Sequence, residues 1–159
     1  MRINPDAHRR AMDEEGIYDL LEKTDVGRMA TVGENGIPYI VPVHYVFEGQ
    51  SIYFHCGLKG KKLDHINTNP WVCFEVDEVC SIKLDLNNPC KSTTVYCSVI
   101  ITGKARVVLD VEKKRSVLGL LMDKHSKARG TWDMTDKSID ATCVVEIVID
   151  DISGKKLPG

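Results

Sequence analysis

The chain has 159 residues, 43% of them hydrophobic and 28% charged, with a net charge of −2. That is enough for one ordinary domain with a substantial core, and the composition is that of a soluble globular protein. The charge gives no basic field for nucleic acid, no apolar run approaches the ~20 residues needed to span a bilayer, and no secretory signal opens the chain. A cytoplasmic setting is expected.

Residues 1–12 are polar, carry Arg2, Arg9 and Arg10, and read as an extended arm. Asp13 can cap a helix starting at Glu14, in which Ile17, Leu20 and Leu21 form one apolar stripe and which ends near Thr24. Val26–Val32 reads as a strand, Glu34-Asn35-Gly36 as a hairpin turn, and residues 37–47 as a longer returning strand. Prolines 38 and 42 place that strand partly at an edge or give it a bulge. Glu48-Gly49-Gln50 is a second hairpin turn, so three strands form a meander.

The next stretch, residues 52–66, organises the rest. Ile52, Tyr53 and Phe54 continue the third strand, Gly57 and Gly60 let the chain turn, and from Lys61 the pattern is helical, with Leu63 and Ile66 on one face. Asn67-Thr68-Asn69-Pro70 stops the helix. A helix opening with Lys61 and Lys62 offers free N–H groups and positive charge, which suits a phosphate or carboxylate. The same lysines would equally suit a solvated helix face. A Walker-type loop is excluded, because the glycines are three apart and Leu63 follows the lysines.

Residues 71–76 read as a buried fourth strand, 79–86 as a less clearly alternating one, and Asn87-Asn88-Pro89 as a loop. Residues 93–109 form a long β-rich run in which Gly103 marks a bend or bulge. Asp110 caps a helix with Val117, Leu118, Leu120, Leu121 and Met122 toward the core, residues 124–138 are polar and irregular, and 141–152 form the last strand. Ser153-Gly154-Lys155-Lys156 closes the chain. Many strands joined by short turns predict a mainly β, antiparallel, closed or nearly closed barrel with two or three flanking helices, in a single domain over 1–159. The six cysteines form no CxxC pair, so no metal site is expected and they serve as small hydrophobes. Cys56 alone stands inside the central stretch.

Four segments together resemble the FMN-binding split-barrel superfamily that includes pyridoxamine 5′-phosphate oxidase, and within it the 5-nitroimidazole resistance (Nim) type proteins. They are Val26-Gly27-Arg28-Met29-Ala30-Thr31, the run from Gly36 to Val43, the stretch from Tyr53 to Leu63, and the run from Tyr96 to Ala105. The closing Ile152-Ser153-Gly154-Lys155 is similar to the family's last strand end. The resemblance implies a split barrel that binds FMN at the interface of a homodimer and acts as an oxidoreductase. By it, Arg28, Met29, Ala30 and Thr31 run along the flavin, Val43, Phe54 and His55 adjoin it, Lys61 and Lys62 hold its phosphate, and Ser98 reaches it from the other subunit. His55, which stands where the oxidases have threonine, is the candidate catalytic residue; taken alone it would suit a structural role. His8, His44 and His65 read as structural. The Arg-x-His pair with which the oxidases grip vitamin B6 is missing, so a small acceptor such as a nitroimidazole or other nitroaromatic is the expected substrate. The alternatives are a flavin- or haem-binding barrel without turnover, with His55 as an axial ligand, and a structural dimer with an empty groove.

Overall fold

The Asp13 carboxylate accepts a hydrogen bond from the Gly16 N–H at 3.1 Å and starts helix α1, Glu14–Lys23. The apolar stripe Ile17, Leu20 and Leu21 is buried, so the cap and the periodicity agree. The computed structural model describes residues 2–3, 10–126 and 130–157. Its strands are β1 Arg2–Ile3, β2 Val26–Val32, β3 Pro38–Glu48, β4 Ser51–Cys56, β5 Trp71–Lys83, β6 Thr93–Val107 and β7 Cys143–Leu157; the other helices are α2 Lys61–Thr68, α3 Val111–Ser126 and α4 Asp136–Asp140.

The strands follow the order β7-β4-β3-β2-β5-β6, and β6 returns to β7, so six antiparallel strands close on themselves. β1 adds to β7 in parallel. Met29, Tyr45, Ile52, Phe54, Phe74, Ile101 and Ile147 fill the interior, fully buried. Each such side chain contributes about 1.5–3 kcal/mol through removal from water. A smaller cluster (Val46, Tyr53, Val117, Leu121 and Val144) joins α3 to the outside of the barrel. No helix among the described residues is long and apolar enough to cross a membrane.

The ring is held together by a change of partner within β3. Residues 38–44 pair with β2, while residues 45–48 pair with β4. The first half of β3 is therefore an edge on its other side, which is why prolines 38 and 42 are tolerated there.

Several boundaries differ from the sequence reading. The stretches 71–76 and 79–86 are one strand, β5, with a bulge between Val79 and Ser81. Its far half pairs with β6 beyond the body of the barrel and meets solvent, so the apolar alternation fades there without the strand ending. β6 stops at Val107, while β7 continues to Leu157 because the first half of β6 needs a partner. Helix α3 runs to Ser126, and α4 begins inside the stretch read as irregular and runs two residues past its end. On α3, Val117 and Leu121 are buried, but Met122 is 43% exposed. In the N-terminal arm, Arg2 and Ile3 are strand, Ala11 bridges to Lys155, and residues 4–9 lie outside the described residues. Gly103 does sit at an irregularity: the β6–β7 register shifts between Thr102 and Gly103, and a Cβ there would stand 2.3 Å from the Val148 carbonyl oxygen.

Candidate functional site

Strands β3 and β4 part company at one end. The last pair in their ladder is Tyr45 with Phe54. Continued in the same register, the next pairs would be His44 with His55 and Val43 with Cys56, but the ladder does not reach them. From there β3 stays with β2, whereas β4 ends and the chain turns through residues 57–60 into α2. The gap between them has the unpaired edge of β3 on one side and the end of β4 with the start of α2 on the other. Lys61 Nζ lies 4.7 Å from the centroid of the Tyr39 ring, so the helix start sits beside the far end of that edge. From Tyr39 to His44 a strand spans about 17 Å.

Only Gly60, of the two glycines expected to turn the chain, has a left-handed φ, at 141°, and no side chain caps the helix it precedes. The N–H groups of Leu63 and Asp64 return to the Gly60 carbonyl, at 2.9 and 3.2 Å. The N–H groups of Lys61 and Lys62 lie ahead of these in the first turn, where the helix carries partial positive charge. Among the described residues neither Lys61 nor Lys62 is paired with a carboxylate. This donor set fits a phosphate.

The other residues singled out in the sequence fall into three groups. His55 is exposed at the end of β4, on the side that α3 covers. Arg28 and Ala30 lie on the outer face of β2, where Arg28 binds Glu75 at 2.9 Å and Asp77 at 2.6 Å on β5. Ser98 is half-buried on β6 and pairs in register with Asp77 and Lys155. Met29, Thr31 and Phe54 point into the barrel, and Val43 packs against the same interior. The Thr31 hydroxyl is shared with buried His65 Nδ1 at 3.0 Å, and residues 28–31 are paired with β3 on one side and β5 on the other, so β2 stands one strand back from the gap. That bond also bears out the structural reading of His65; His8 lies outside the described residues.

Two histidines join His55. The rings of His44 and His125 meet edge to face, with centroids 4.7 Å apart. His44 Nδ1 donates to the Asp25 carbonyl at 3.2 Å, and His125 Nδ1 lies 3.7 Å from the Asp25 carboxylate. Burial pushes the pKa of His125 down, and His44, Lys124 and His55 push it the same way against the pull of Asp25. Its Nε2 is buried without a hydrogen-bond partner among the described residues. Nothing in the sequence could have linked residues 44, 55 and 125, because only the barrel closure and the return of α3 bring them together. Cys56 faces Cys143 across the β4–β7 ladder. Burial and Cys143 push its thiol up to about 11, against the pull of Lys62, so it is protonated at neutral pH and is no ready nucleophile.

The pyridoxamine 5′-phosphate oxidase family matches residues 13–156. The chain belongs to that family. Its fold is similar to that of a candidate 5-nitroimidazole antibiotic resistance protein from Bacteroides thetaiotaomicron, 22% identical, with a TM-score of 0.80 over 91% of this chain and 85% of that one. It is also similar to the flavocytochrome Anf3 from Azotobacter vinelandii (22% identical, TM-score 0.83, 97% and 72% covered). A further likeness is to the FAD and heme binding protein from Mycobacterium smegmatis (21%, 0.81, 96% and 75%). An uncharacterized protein of Rhizobium meliloti (strain 1021) is 27% identical over 95 residues, which are 60% of this chain and 54% of that protein; the match thus spans about half of that relative's length. These likenesses establish a split barrel of the oxidase family, closed by β6 and β7 and opened where β3 leaves β4.

Proposed function

We propose that the chain binds FMN in the gap between β3 and β4 and uses it to reduce a small acceptor, such as a nitroimidazole or another nitroaromatic. The observation that carries this reading is the arrangement of the gap: an anion seat at Lys61 and Lys62 beside one end, His55 at the other, and an unpaired strand edge between. FMN has a phosphate, a polar chain and a flat ring in that order, and the gap offers charge, backbone groups and an open mouth in the same order. The names of the structural relatives, a 5-nitroimidazole resistance candidate and flavin-binding proteins, agree in chemistry.

When bound, the flavin supplies two-electron redox chemistry. Lys61, Lys62 and the first N–H groups of α2 hold the phosphate. The main chain of β3 at Val43 would lie along the cofactor, Arg28 and Ala30 would approach it from the outer face of β2, and Met29, Thr31 and Phe54 would back it from within the barrel. A nitro group that takes up two electrons and two protons becomes a nitroso group and water, and His55 is placed to orient the acceptor and deliver a proton to its oxygen. The outer face of β2, β3, β5 and β6 exposes Ile40 (63%), Trp71 (48%) and Ile100 (48%). A second copy covering that face would bring Ser98 toward the flavin held mainly by the other copy, as a homodimer with FMN at the interface requires.

A second reading is a barrel that holds flavin or haem without turnover. The convergence of His44, His55 and His125, with His125 Nε2 unpartnered among the described residues, favours it. One set of spectra separates the two. The purified protein is scanned before and after denaturation, and after addition of FMN or haemin. Flavin bands near one FMN per chain, with a His55→Ala variant that keeps FMN but loses acceptor reduction, support the enzyme. A Soret band lost in His55→Ala supports haem. A protein that takes up neither ligand sinks both.

A further inference from the structure

A cavity of about 310 Å³ opens beside His55, between α3 and residues 132–142. Leu118, Met122, Trp132, Met134 and Ile139 give it apolar walls. The outer wall is anchored: Trp132 Nε1 donates to Asp123 Oδ1 at 2.8 Å, and Arg115 donates to the Met134 carbonyl and to Asp136, both at 2.6 Å. Its hydroxyl groups are already committed, since Thr142 Oγ1 donates to the Ser138 carbonyl at 2.9 Å and Ser138 Oγ to the Thr135 carbonyl at 2.7 Å. Among the described residues no lysine or arginine lines the cavity, and the one carboxylate lining it is Asp133.

We infer that this cavity is the acceptor's binding site and that it selects a flat aromatic ring that is uncharged or positively charged. The assignment rests on the flavin reading above for the acceptor role, but the cavity's selectivity follows from its own walls. A ring stacks on Trp132 and against the Met122 and Met134 thioethers, which favour aromatic contacts. An anionic ring meets Asp133 with no lysine or arginine among the described lining residues to offset it, and it gains only His55 as a donor for the hydration it loses. A ring held there has its edge at His55, the group assigned to meet the acceptor.

The chain has two tryptophans, so Trp71→Phe leaves Trp132 as the fluorescent reporter. In that full-length background, nitrobenzene and the 4-nitrobenzylammonium ion quench Trp132 saturably, and 4-nitrobenzoate requires roughly tenfold higher concentration. Leu118→Phe fills the cavity and abolishes saturation; should it fail to fold by circular dichroism, the half-exposed Met122→Phe replaces it. Asp133→Lys, at an exposed position, reverses the order of the two charged probes. With FMN bound and reduced by dithionite, reoxidation rates for the three probes follow the same order as their quenching. Equal quenching by all three, or an order unchanged in Asp133→Lys, overturns the site. Selectivity retained by a protein that takes up no FMN overturns the acceptor role together with the flavin reading, while leaving the pocket as a ring-binding site.

Discussion

His44 and His125 stack edge to face with centroids 4.7 Å apart, although they come from a strand and a helix 81 positions apart in the chain (125 minus 44). A proton on His125 would place positive charge against His44 and beside Lys124, which is itself half-buried and bonded to the Leu21 carbonyl at 2.9 Å. The pair is therefore stable when His125 is neutral. Its folded pKa lies below the ordinary value of 6.5, chiefly through burial. In the interval between the folded and unfolded values the unfolded chain binds more protons, so stability rises with pH there. The contribution is fully present above about 6.5 and is lost as pH falls below it. Thermal melts between about pH 7.5 and pH 5.5 should show a falling Tm in the native protein and a flatter profile in His125→Gln.

Replacing Lys61 or Lys62 by methionine should weaken FMN binding about 10- to 100-fold each, the ~1.5–3 kcal/mol of a charge-assisted hydrogen bond. Both lie at the start of α2, outside the core, so far-UV circular dichroism should not change. Flavin fluorescence titration at two salt concentrations measures the effect, and the native affinity should fall more steeply with salt than that of either variant. Unchanged affinity in both variants would remove the phosphate from this helix start.

Gly103→Ala should cost about 1–3 kcal/mol or more, because its Cβ would meet the Val148 carbonyl oxygen at 2.3 Å, and the main chain on both sides is held in the β6–β7 ladder. Gly130→Ala is the matched control, with nothing among the described residues nearer than 3.9 Å. Chemical denaturation of the two variants should separate them clearly.

Glu146 gathers three donors: Ser51 Oγ at 3.0 Å, Tyr53 OH at 2.7 Å and Arg106 at 2.7 Å. Burial opposes its charge, but the bonds from Tyr53, Arg106 and Ser51 outweigh that, and its carboxyl sits below the ordinary range. Its stabilisation is present above the unfolded value near 4.5 and is lost as pH falls through the folded one. Glu146→Gln should lose about 1–3 kcal/mol at neutral pH and show a shallower acid limb in denaturant titrations.

Local chemistry was legible in the sequence wherever one residue type has one physical use. Asp13 before Glu14, Asp110 before α3, the glycine turn into Lys61 and the bulge at Gly103 all read correctly, because caps, positive φ and close backbone approach are decided within a few residues. The edge character of residues 38–44 was likewise visible in two prolines. The run of short-turn strands already pointed to a closed antiparallel barrel, which this structure has; the family likeness added its split form and the site residues. Tertiary structure alone decided which side chains share a space. It turned Met29, Thr31 and Phe54 inward, bound Arg28 to Glu75 and Asp77, and gathered His44, His55 and His125. It also folded residues 132–142 back over His55 to make a cavity, most of it from a stretch that read as irregular. Burial and charge pairing depend on strands brought together from distant parts of the chain, and no local pattern records which of them will meet.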